Sequence, residues 1–138
     1  TTENLNNCPD FTVAFATKGT MVAADFVGIV SAKDLPNKIE KTGWKVKKAE
    51  NVNAPVFTDF PMTLECRLVK KIDESADGYY IVAEIINILV DENFIANDGK
   101  PNVEKMELIS YDPIHHGYIC LGERVGNAFA DGKLLDKE

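Results

Sequence analysis

Two apolar stretches, MTLECRLVKKI at 62–72 and YYIVAEIINILV at 79–90, carry the strongest secondary-structure signal in this chain. In the first stretch apolar and polar residues alternate with the period of two that is typical of a β-strand, with Leu64, Cys66 and Leu68 set against Glu65, Arg67 and Val69. The second is rich in β-branched residues, and its interior polar residues are Glu84 and Asn87. Because a polar turn at 73–78 separates them, the two stretches predict a β-hairpin with long strands. Strands of this length are typical of a barrel or a strongly coiled sheet.

Shorter elements are predicted on both sides of this hairpin. Residues 1–7 predict a short helix with Thr1 or Thr2 as its N-cap. Two further helices are predicted, one over 20–31 with Thr20 as N-cap and one over 37–42 that ends at Gly43. The remaining expectations are strands at 11–17, 108–111 and 117–121, a loop at 51–61, a short helix at 102–106, and a loop or docking arm at 125–138. Strands outnumber helices and pair in hairpins, so the pattern predicts a small β-barrel with flanking helices in one domain, 1–138.

Composition limits the classes of function. At 138 residues, 45% hydrophobic and 27% charged, the chain has the composition of one globular domain. Its 22 acidic and 15 basic residues give a net charge of -7, which argues against a nucleic-acid partner. No apolar run reaches the roughly 18 residues typical of a membrane span. Three separated cysteines, Cys8, Cys66 and Cys120, predict buried thiols in a reducing, cytoplasmic compartment.

Motifs for hydrolytic or metal chemistry are absent from the sequence. No GxGxxG, P-loop or GxSxG pattern occurs. His115 and His116 are adjacent, so on a strand they point to opposite faces and cannot ligate one metal. Two interpretations of them remain, a histidine that lines a pocket or two solvated turn residues. Cys66 lies in strand register with Leu64 and Leu68 and is predicted to be part of the core, so neither a metal site nor a cysteine nucleophile is expected.

A basic segment stands out on this acidic chain. Between positions 33 and 48 there are six lysines: Lys33, Lys38, Lys41, Lys45, Lys47 and Lys48. One interpretation is a solvated face. The other is an anchor for a phosphate-bearing ligand such as a nicotinamide dinucleotide, which needs only a few well-placed cations.

Four groups of residues, in a fixed order, carry a family resemblance over almost the whole chain. They are TTENL at 1–5 with FTVAFA at 11–16, ADFVGIVS at 24–31 with PNKIEKTG at 36–43, AP at 54–55 with LECRL at 64–68, and YDP at 111–113 with LGERVGNAFADGK at 121–133. With these segments in register, the chain resembles the flavin reductase-like, FMN-binding split-barrel family, close to its flavoredoxin branch.

The resemblance implies a fold that is mainly β with short helices, a split β-barrel. It also implies that this chain lacks the family's N-terminal part, which supplies the first barrel strands. Members form dimers with one FMN near each subunit contact, and they pass hydride from NADH or NADPH to flavin or shuttle electrons through a bound flavin. A homodimer with FMN as cofactor and NADH or NADPH as co-substrate is therefore expected.

The resemblance also implies a set of cofactor-binding residues. The phosphate of FMN is expected at Thr1, Thr2 and Asn4, where hydroxyls and free backbone N–H groups at a helix start favour an anion. The flavin ring is expected against the segment Asp25, Phe26, Val27 and Gly28, where a glycine permits close approach of ring and backbone. No catalytic acid or base is expected, because the flavin itself is the reactive group.

The first expectation for function is therefore an FMN-binding, NAD(P)H-dependent oxidoreductase. A second is a flavin-bound electron carrier without its own NAD(P)H activity. A third is a remnant of the family that no longer holds flavin. Neither nucleic acid nor membrane is an expected partner.

Overall fold

Antiparallel pairing dominates the computed structural model, which describes residues 2–75 and 78–136, with the side chains of 2–3, 73–75 and 78–79 left out. The described strands form one three-stranded sheet and two hairpins. The sheet has the order β1 (Asp10–Ala14), β4 (Met62–Ser75) and β5 (Gly78–Val90). The hairpins pair β2 (Val46–Lys48) with β3 (Pro55–Phe57), and β6 (Ile109–Asp112) with β7 (Gly117–Cys120). The long hairpin predicted from the two apolar stretches is confirmed as β4–β5.

Short helices flank the strands, so the fold is mainly β. They are α1 (Thr2–Asn7), α2 (Met21–Ile29) and α3 (Lys38–Thr42), with 3₁₀ turns at Glu92–Phe94 and Asp131–Asp136. The predicted end of α3 is confirmed, because Gly43 has a φ of 73°, the left-handed conformation that glycine adopts without strain. Thr20 occupies the predicted N-cap position of α2, but its hydroxyl accepts from Thr17 N at 2.8 Å instead of capping the helix.

Several boundaries differ from the sequence predictions. The strand predicted over 11–17 ends at Ala14, because the chain then leaves β4 and Thr17 pairs with Leu108. The loop predicted over 51–61 contains β3, whose partner β2 is a lysine-rich strand with no alternating pattern. The helix predicted over 102–106 is a turn, in which Asn102 Oδ1 accepts from Lys105 N at 2.9 Å. A side-chain oxygen that accepts from the N–H three residues later is typical of a helix N-cap, but the chain continues here as a turn.

One face of the sheet is covered by residues 49–54, which we call the clamp loop. Ala49 and Val52 of this loop form an apolar cluster with Val56 of β3. Ala54, Ile86 and Leu89 pack against this cluster. Ile86 has no partner in the β4–β5 ladder, because a bulge lies where Glu65 pairs with Asn87 and Cys66 with Ile85. The main apolar cluster therefore lies between the sheet and the clamp loop.

A buried carboxylate ties the clamp loop to the sheet. Glu65 is 0% exposed, and its oxygens accept from Glu50 N at 3.1 Å, Asn51 Nδ2 at 2.6 Å and Asn87 Nδ2 at 3.0 Å. Burial raises the pKa of Glu65, but the hydrogen bonds from Asn51, Asn87 and the loop backbone lower it by more, so it lies below its ordinary value. A carboxylate this well supplied with donors remains ionised inside the protein.

A second acidic side chain reinforces the clamp. Asp10 of β1 accepts from Asn53 N at 2.8 Å and from Arg67 Nε at 2.8 Å. The hydrogen bond from Arg67 is the main cause that lowers the pKa of Asp10, and the bond from Asn53 N lowers it further. Thr12, which lies opposite Glu65 on β1, donates to Pro55 O at 2.6 Å. The polar residues on this face of the sheet therefore bind a loop and are not a solvated surface.

Met106 and Leu108 are also buried, but α2 and residues 121–136 are far more exposed. Val22 and Ile29 of α2 are 74% and 75% exposed. In residues 121–136, which we call the C-terminal arm, Val125, Phe129 and Leu135 are 101%, 97% and 93% exposed. An ion pair of 3.0 Å between Arg124 Nε and Glu104 Oε1 fixes the start of this arm. Apolar side chains left this open are typical of a surface that meets another molecule.

The three cysteines differ in burial, so the prediction of three buried thiols is wrong. Cys66 is buried as expected, and its burial raises the pKa of its thiol. Cys8 is half-buried. Cys120 is exposed because it lies on β7, an edge strand of a two-stranded hairpin. All three thiols are free. In the described part of the chain, no helix has the length and apolar character needed to cross a membrane.

Candidate functional site

A cavity of about 620 Å³ lies between α1 and the C-terminal half of α2. Asn4 forms one side of it, residues 27–33 form another, and Lys38 of α3 completes it. Ligand pockets in proteins commonly have volumes of about 300–1,000 Å³. This cavity therefore brings together residues from both predicted cofactor-binding segments.

The C-terminal end of α2 is held in place by Lys38. The Nζ atom of Lys38 donates to Val27 O and to Val30 O, each at 2.7 Å. An ammonium group at this end of a helix satisfies carbonyls that lack helical partners and interacts favourably with the helix dipole. Lys38 thus shapes the cavity wall, and two of its three N–H donors are used in doing so.

The four residues predicted to lie against a flavin do not share one environment. Val27 and Gly28 line the cavity, whereas Asp25 and Phe26 are not among its lining residues. Asp25 is directed instead to β7, where its Oδ1 accepts from Tyr118 Oη at 2.6 Å. The hydrogen bond to this carboxylate is the main cause that raises the pKa of Tyr118. The structure therefore divides the predicted segment between the cavity and the β6–β7 hairpin.

The predicted phosphate ligands are described only in part. Thr1 lies outside the described residues, and so does the side chain of Thr2. Asn4 is exposed on α1 and lines the cavity. Of the six clustered lysines, Lys33 and Lys38 reach this cavity, while Lys47 and Lys48 lie on β2.

The residues around the cavity fit FMN, which combines an aromatic ring system with a phosphate. Val27, Ile29 and Val30 supply apolar surface, and the amide of Asn4 and the cation of Lys33 supply donors for an anion. At Gly28 an added Cβ would meet no other atom within 4 Å, so this part of the cavity wall is open. An apolar wall with a few polar groups is typical of a cofactor site.

The histidine pair forms the turn of the β6–β7 hairpin. His115 Nδ1 lies 2.8 Å from Asp112 Oδ2, and His116 Nδ1 lies 2.8 Å from Tyr111 Oη. Both histidines are exposed, and the bond to His115 is the main cause that lowers the pKa of Asp112. Of the two interpretations left open, the structure favours solvated turn residues. Among the described residues, no group of three or more His, Cys, Asp or Glu side chains is placed to hold a metal ion.

The role of Tyr118 was not predicted from the sequence. It lies 93 positions from Asp25, and no local pattern connects a tyrosine on one strand with an aspartate on a distant helix. The only available signal was an aspartate within an otherwise apolar helix, which needs a polar partner if it is not solvated.

Comparisons with known proteins agree with this architecture. No protein-family model matches the chain. It is 31% identical over 100 residues, 72% of its length, to an uncharacterized protein from Archaeoglobus fulgidus, and it spans about half (54%) of that relative. Flavoredoxin of Desulfovibrio vulgaris (Miyazaki F) superposes with a TM-score of 0.88 at 27% identity, over 96% of this chain and 69% of that one.

Two further solved structures complete the comparison. Flavoredoxin from Methanosarcina acetivorans has a TM-score of 0.85 at 28% identity, over 98% of this chain and 70% of that one. This chain therefore has the split-barrel fold of the flavin reductase-like proteins. A flavin reductase with a split barrel domain from Shewanella frigidimarina shares the fold alone, with a TM-score of 0.75 at 18% identity over 94% of this chain and 65% of that one. The predicted resemblance to this family and the split-barrel fold class are thereby confirmed, and the chain is shorter than these neighbours.

Proposed function

We propose that this chain binds FMN in the cavity between α1 and α2 and acts as an oxidoreductase of the flavoredoxin or flavin reductase type. The observation that carries the proposal is the meeting of two distant segments, Asn4 and Val27–Gly28, at one cavity. Both segments were expected to contact FMN on the basis of the resemblance alone. The likeness to two flavoredoxins over 96% and 98% of the chain supports the same cofactor.

Each part of the site has a proposed role. The phosphate is held by Thr1, Thr2 and Asn4, with Lys33 adding positive charge. The ring lies against the α2 segment Asp25, Phe26, Val27 and Gly28, of which Val27 and Gly28 line the cavity. When bound, FMN supplies the hydride and electron chemistry, and the protein supplies orientation and electrostatics.

NADH or NADPH is the proposed co-substrate. The exposed basic segment at 33–48 supports this proposal, since it carries a net charge of +4 on a chain of net charge -7 and attracts anionic ligands. One observation favours the second candidate, an electron carrier without NAD(P)H activity. Lys38, one of the lysines expected to meet a dinucleotide phosphate, is bonded to the carbonyls of Val27 and Val30.

A homodimer is the proposed assembly. The C-terminal arm supports it, because Val125, Phe129 and Leu135 are almost fully exposed in one copy of the chain. A stable interface buries about 800 Å² on each partner. An aromatic side chain such as Phe129 contributes about 150–250 Å² of this area, and Val125 and Leu135 add to it. The arm therefore carries enough apolar surface to form a substantial part of such an interface. The proposed location is the cytoplasm, where free thiols persist.

Two assays in sequence test this proposal. Titration of the purified chain with FMN, followed by flavin fluorescence, is expected to give saturable binding. The loaded chain is then mixed with NADH or NADPH, and absorbance of the nicotinamide is followed. Oxidation above that of free FMN supports the first candidate, and binding without oxidation supports the carrier. Absence of FMN binding overturns both and leaves the third expectation, a member of the family that no longer holds flavin.

A further inference from the structure

Apolar packing holds α2 only in part, since its large apolar residues Met21, Phe26 and Val27 are no more than half-buried. Among the described residues of this helix none is buried, and Val22 and Ile29 are largely open to solvent. Helices in proteins are stabilised mainly by burial of an apolar face against other elements. The position of α2 therefore depends strongly on a few polar contacts.

Those contacts attach α2 at three places. Before the helix, Lys18 N donates to Glu107 O at 2.9 Å and joins the chain to the segment that leads into β6. At its end, Lys38 Nζ bonds the carbonyls of Val27 and Val30. In its middle, Tyr118 Oη donates to Asp25 Oδ1 at 2.6 Å. Among the hydrogen bonds of the described residues, this last one joins the β6–β7 hairpin to the body of α2.

We propose that Tyr118 is a positioning residue, which holds α2 through Asp25 and thereby fixes the Val27–Gly28 wall of the cavity. Asp25 precedes that wall by two and three residues, less than one turn of the helix, so a shift at Asp25 is transmitted directly to the wall. The inference rests on the proposed function in one respect only, that the wall contacts FMN.

The hairpin gives Tyr118 a defined position. Four residue pairs join β6 and β7, with Tyr111 directly opposite Tyr118. The two rings lie 5.8 Å apart between centroids, a distance at which aromatic side chains pack favourably. Tyr111 in turn lies within hydrogen-bond distance of His116. The hydroxyl of Tyr118 is thus directed at α2 from a paired strand, and like any phenol it is a proton donor at neutral pH.

The matched pair Tyr118→Phe and Tyr111→Phe tests the proposal. Each variant removes one hydroxyl from adjacent positions of the same hairpin, but only that of Tyr118 contacts α2. Amide hydrogen exchange of residues 21–29 is measured on the chain without FMN, and FMN affinity is measured by fluorescence. For Tyr118→Phe we expect exchange in α2 to accelerate about tenfold and the Kd for FMN to rise about tenfold, since one hydrogen bond to a charged group is lost. For Tyr111→Phe we expect less than a twofold change in either quantity.

A double-mutant cycle with Asp25→Ala completes the test. If the two side chains act as one unit, the double variant Tyr118→Phe with Asp25→Ala should lose no more than the more strongly affected single variant. Its exchange rate in α2 and its Kd for FMN should then equal those of that single variant. Melting temperatures of all variants are expected within a few degrees of the original chain, so a general loss of stability would not produce the pattern.

Three results would overturn the proposal: unchanged exchange in α2 for Tyr118→Phe, an equal effect from Tyr111→Phe, or additive losses in the cycle. The exchange measurement needs no FMN. A chain that fails to bind FMN would therefore overturn the proposed function, while exchange alone would still decide the role of Tyr118.

Discussion

The face of the sheet under the clamp loop and the region around α2 are held together in opposite ways. Under the clamp loop, the carboxylate of Glu65 is completely buried and receives donors from the loop and from β5. Around α2, no described helix residue is buried, and the C-terminal arm exposes whole apolar side chains. Dense packing and satisfied polar groups fix the first region, whereas a few polar attachments position the second.

The difference indicates that one region mainly stabilises the fold and that the other carries the candidate binding site. The clamp-loop region supplies the stability on which the fold depends. The region around α2 carries the candidate cavity and the arm, and regions that bind ligands or partners are commonly the less stable ones. Variants in the first region are therefore expected to change stability, and variants in the second to change binding and assembly.

The largest effect on stability is expected from Glu65→Gln. A glutamine has the same shape, but it lacks the charge and turns an N–H₂ group toward the donors of Asn51 and Asn87. Leaving such donors unsatisfied in the interior should lower the free energy of unfolding by about 3 kcal/mol. Urea denaturation measures this, with the exposed Glu84→Gln on β5 as control, expected within about 0.5 kcal/mol of the original chain. Equal stability of the two variants would contradict the role assigned to the clamp.

The same carboxylate predicts how stability depends on pH. Because the pKa of Glu65 in the folded chain lies below its ordinary value of 4.5, its contribution is present above that value and is lost as pH falls through the folded pKa. The difference in stability between the original chain and Glu65→Gln should therefore shrink as pH is lowered from about 5 to about 2. Urea midpoints for both chains across this range provide the measurement. A difference that stays constant with pH would show that the charge of Glu65 contributes nothing.

A smaller loss is expected from Lys38→Met on the α2 side. The methionine keeps much of the apolar stem but removes the ammonium from the carbonyls of Val27 and Val30. Charges at the end of a helix contribute about 0.3–1 kcal/mol, so thermal unfolding should show a loss of about 1 kcal/mol or less. Lys45→Met, at an exposed position after α3 and outside any helix, is the control and should be neutral. A loss as large as that of Glu65→Gln would remove the contrast between the two regions.

The smallest effect on the fold, and a large one on assembly, is expected from Phe129→Ser with Leu135→Ser. Both side chains are almost fully exposed, so their loss should leave the circular dichroism of the chain unchanged. If the arm joins two copies, light scattering should show the mass falling toward that of one 15.3 kDa chain. A double variant that keeps the mass of a dimer would show that the arm is not the interface.

The sequence predicted local structure where a short pattern determines it. Alternation in β4 and the glycine after α3 placed the long hairpin and the helix end correctly. The turn predicted at 73–78 is too long, because β4 continues to Ser75 and β5 begins at Gly78. Sequence prediction failed where distant contacts decide the outcome. The three-residue strands β2 and β3 are too short to show a period. The alternation in β4 placed Glu65 on the polar face of its strand, and the sequence did not show that the clamp loop covers this face. The Tyr118–Asp25 contact has the same origin, because pairing over 93 positions leaves no local trace.

Part of the candidate site was predicted because a family resemblance supplied it. Asn4, Val27 and Gly28 were named from segment matches, and the structure places them at one cavity. The separation of Asp25 from Gly28 could not be predicted in this way, since it depends on which face of α2 meets the β6–β7 hairpin. The use of Lys38 by helix carbonyls was likewise invisible in a run of lysines.

The most direct test of the central claim, that FMN occupies the cavity beside α2, is an FMN titration of the original chain and of Gly28→Leu side by side. An added Cβ at Gly28 meets no atom of the protein, and leucine favours a helix more than glycine does, so the variant should fold and melt at or above the original temperature. Its side chain would occupy the space proposed for the ring. Val22→Leu, on the exposed side of the same helix, is the matched control. The account predicts saturable binding by the original chain and by Val22→Leu, and at least tenfold weaker binding by Gly28→Leu. Equal affinity in all three, or no binding by the original chain, would contradict it.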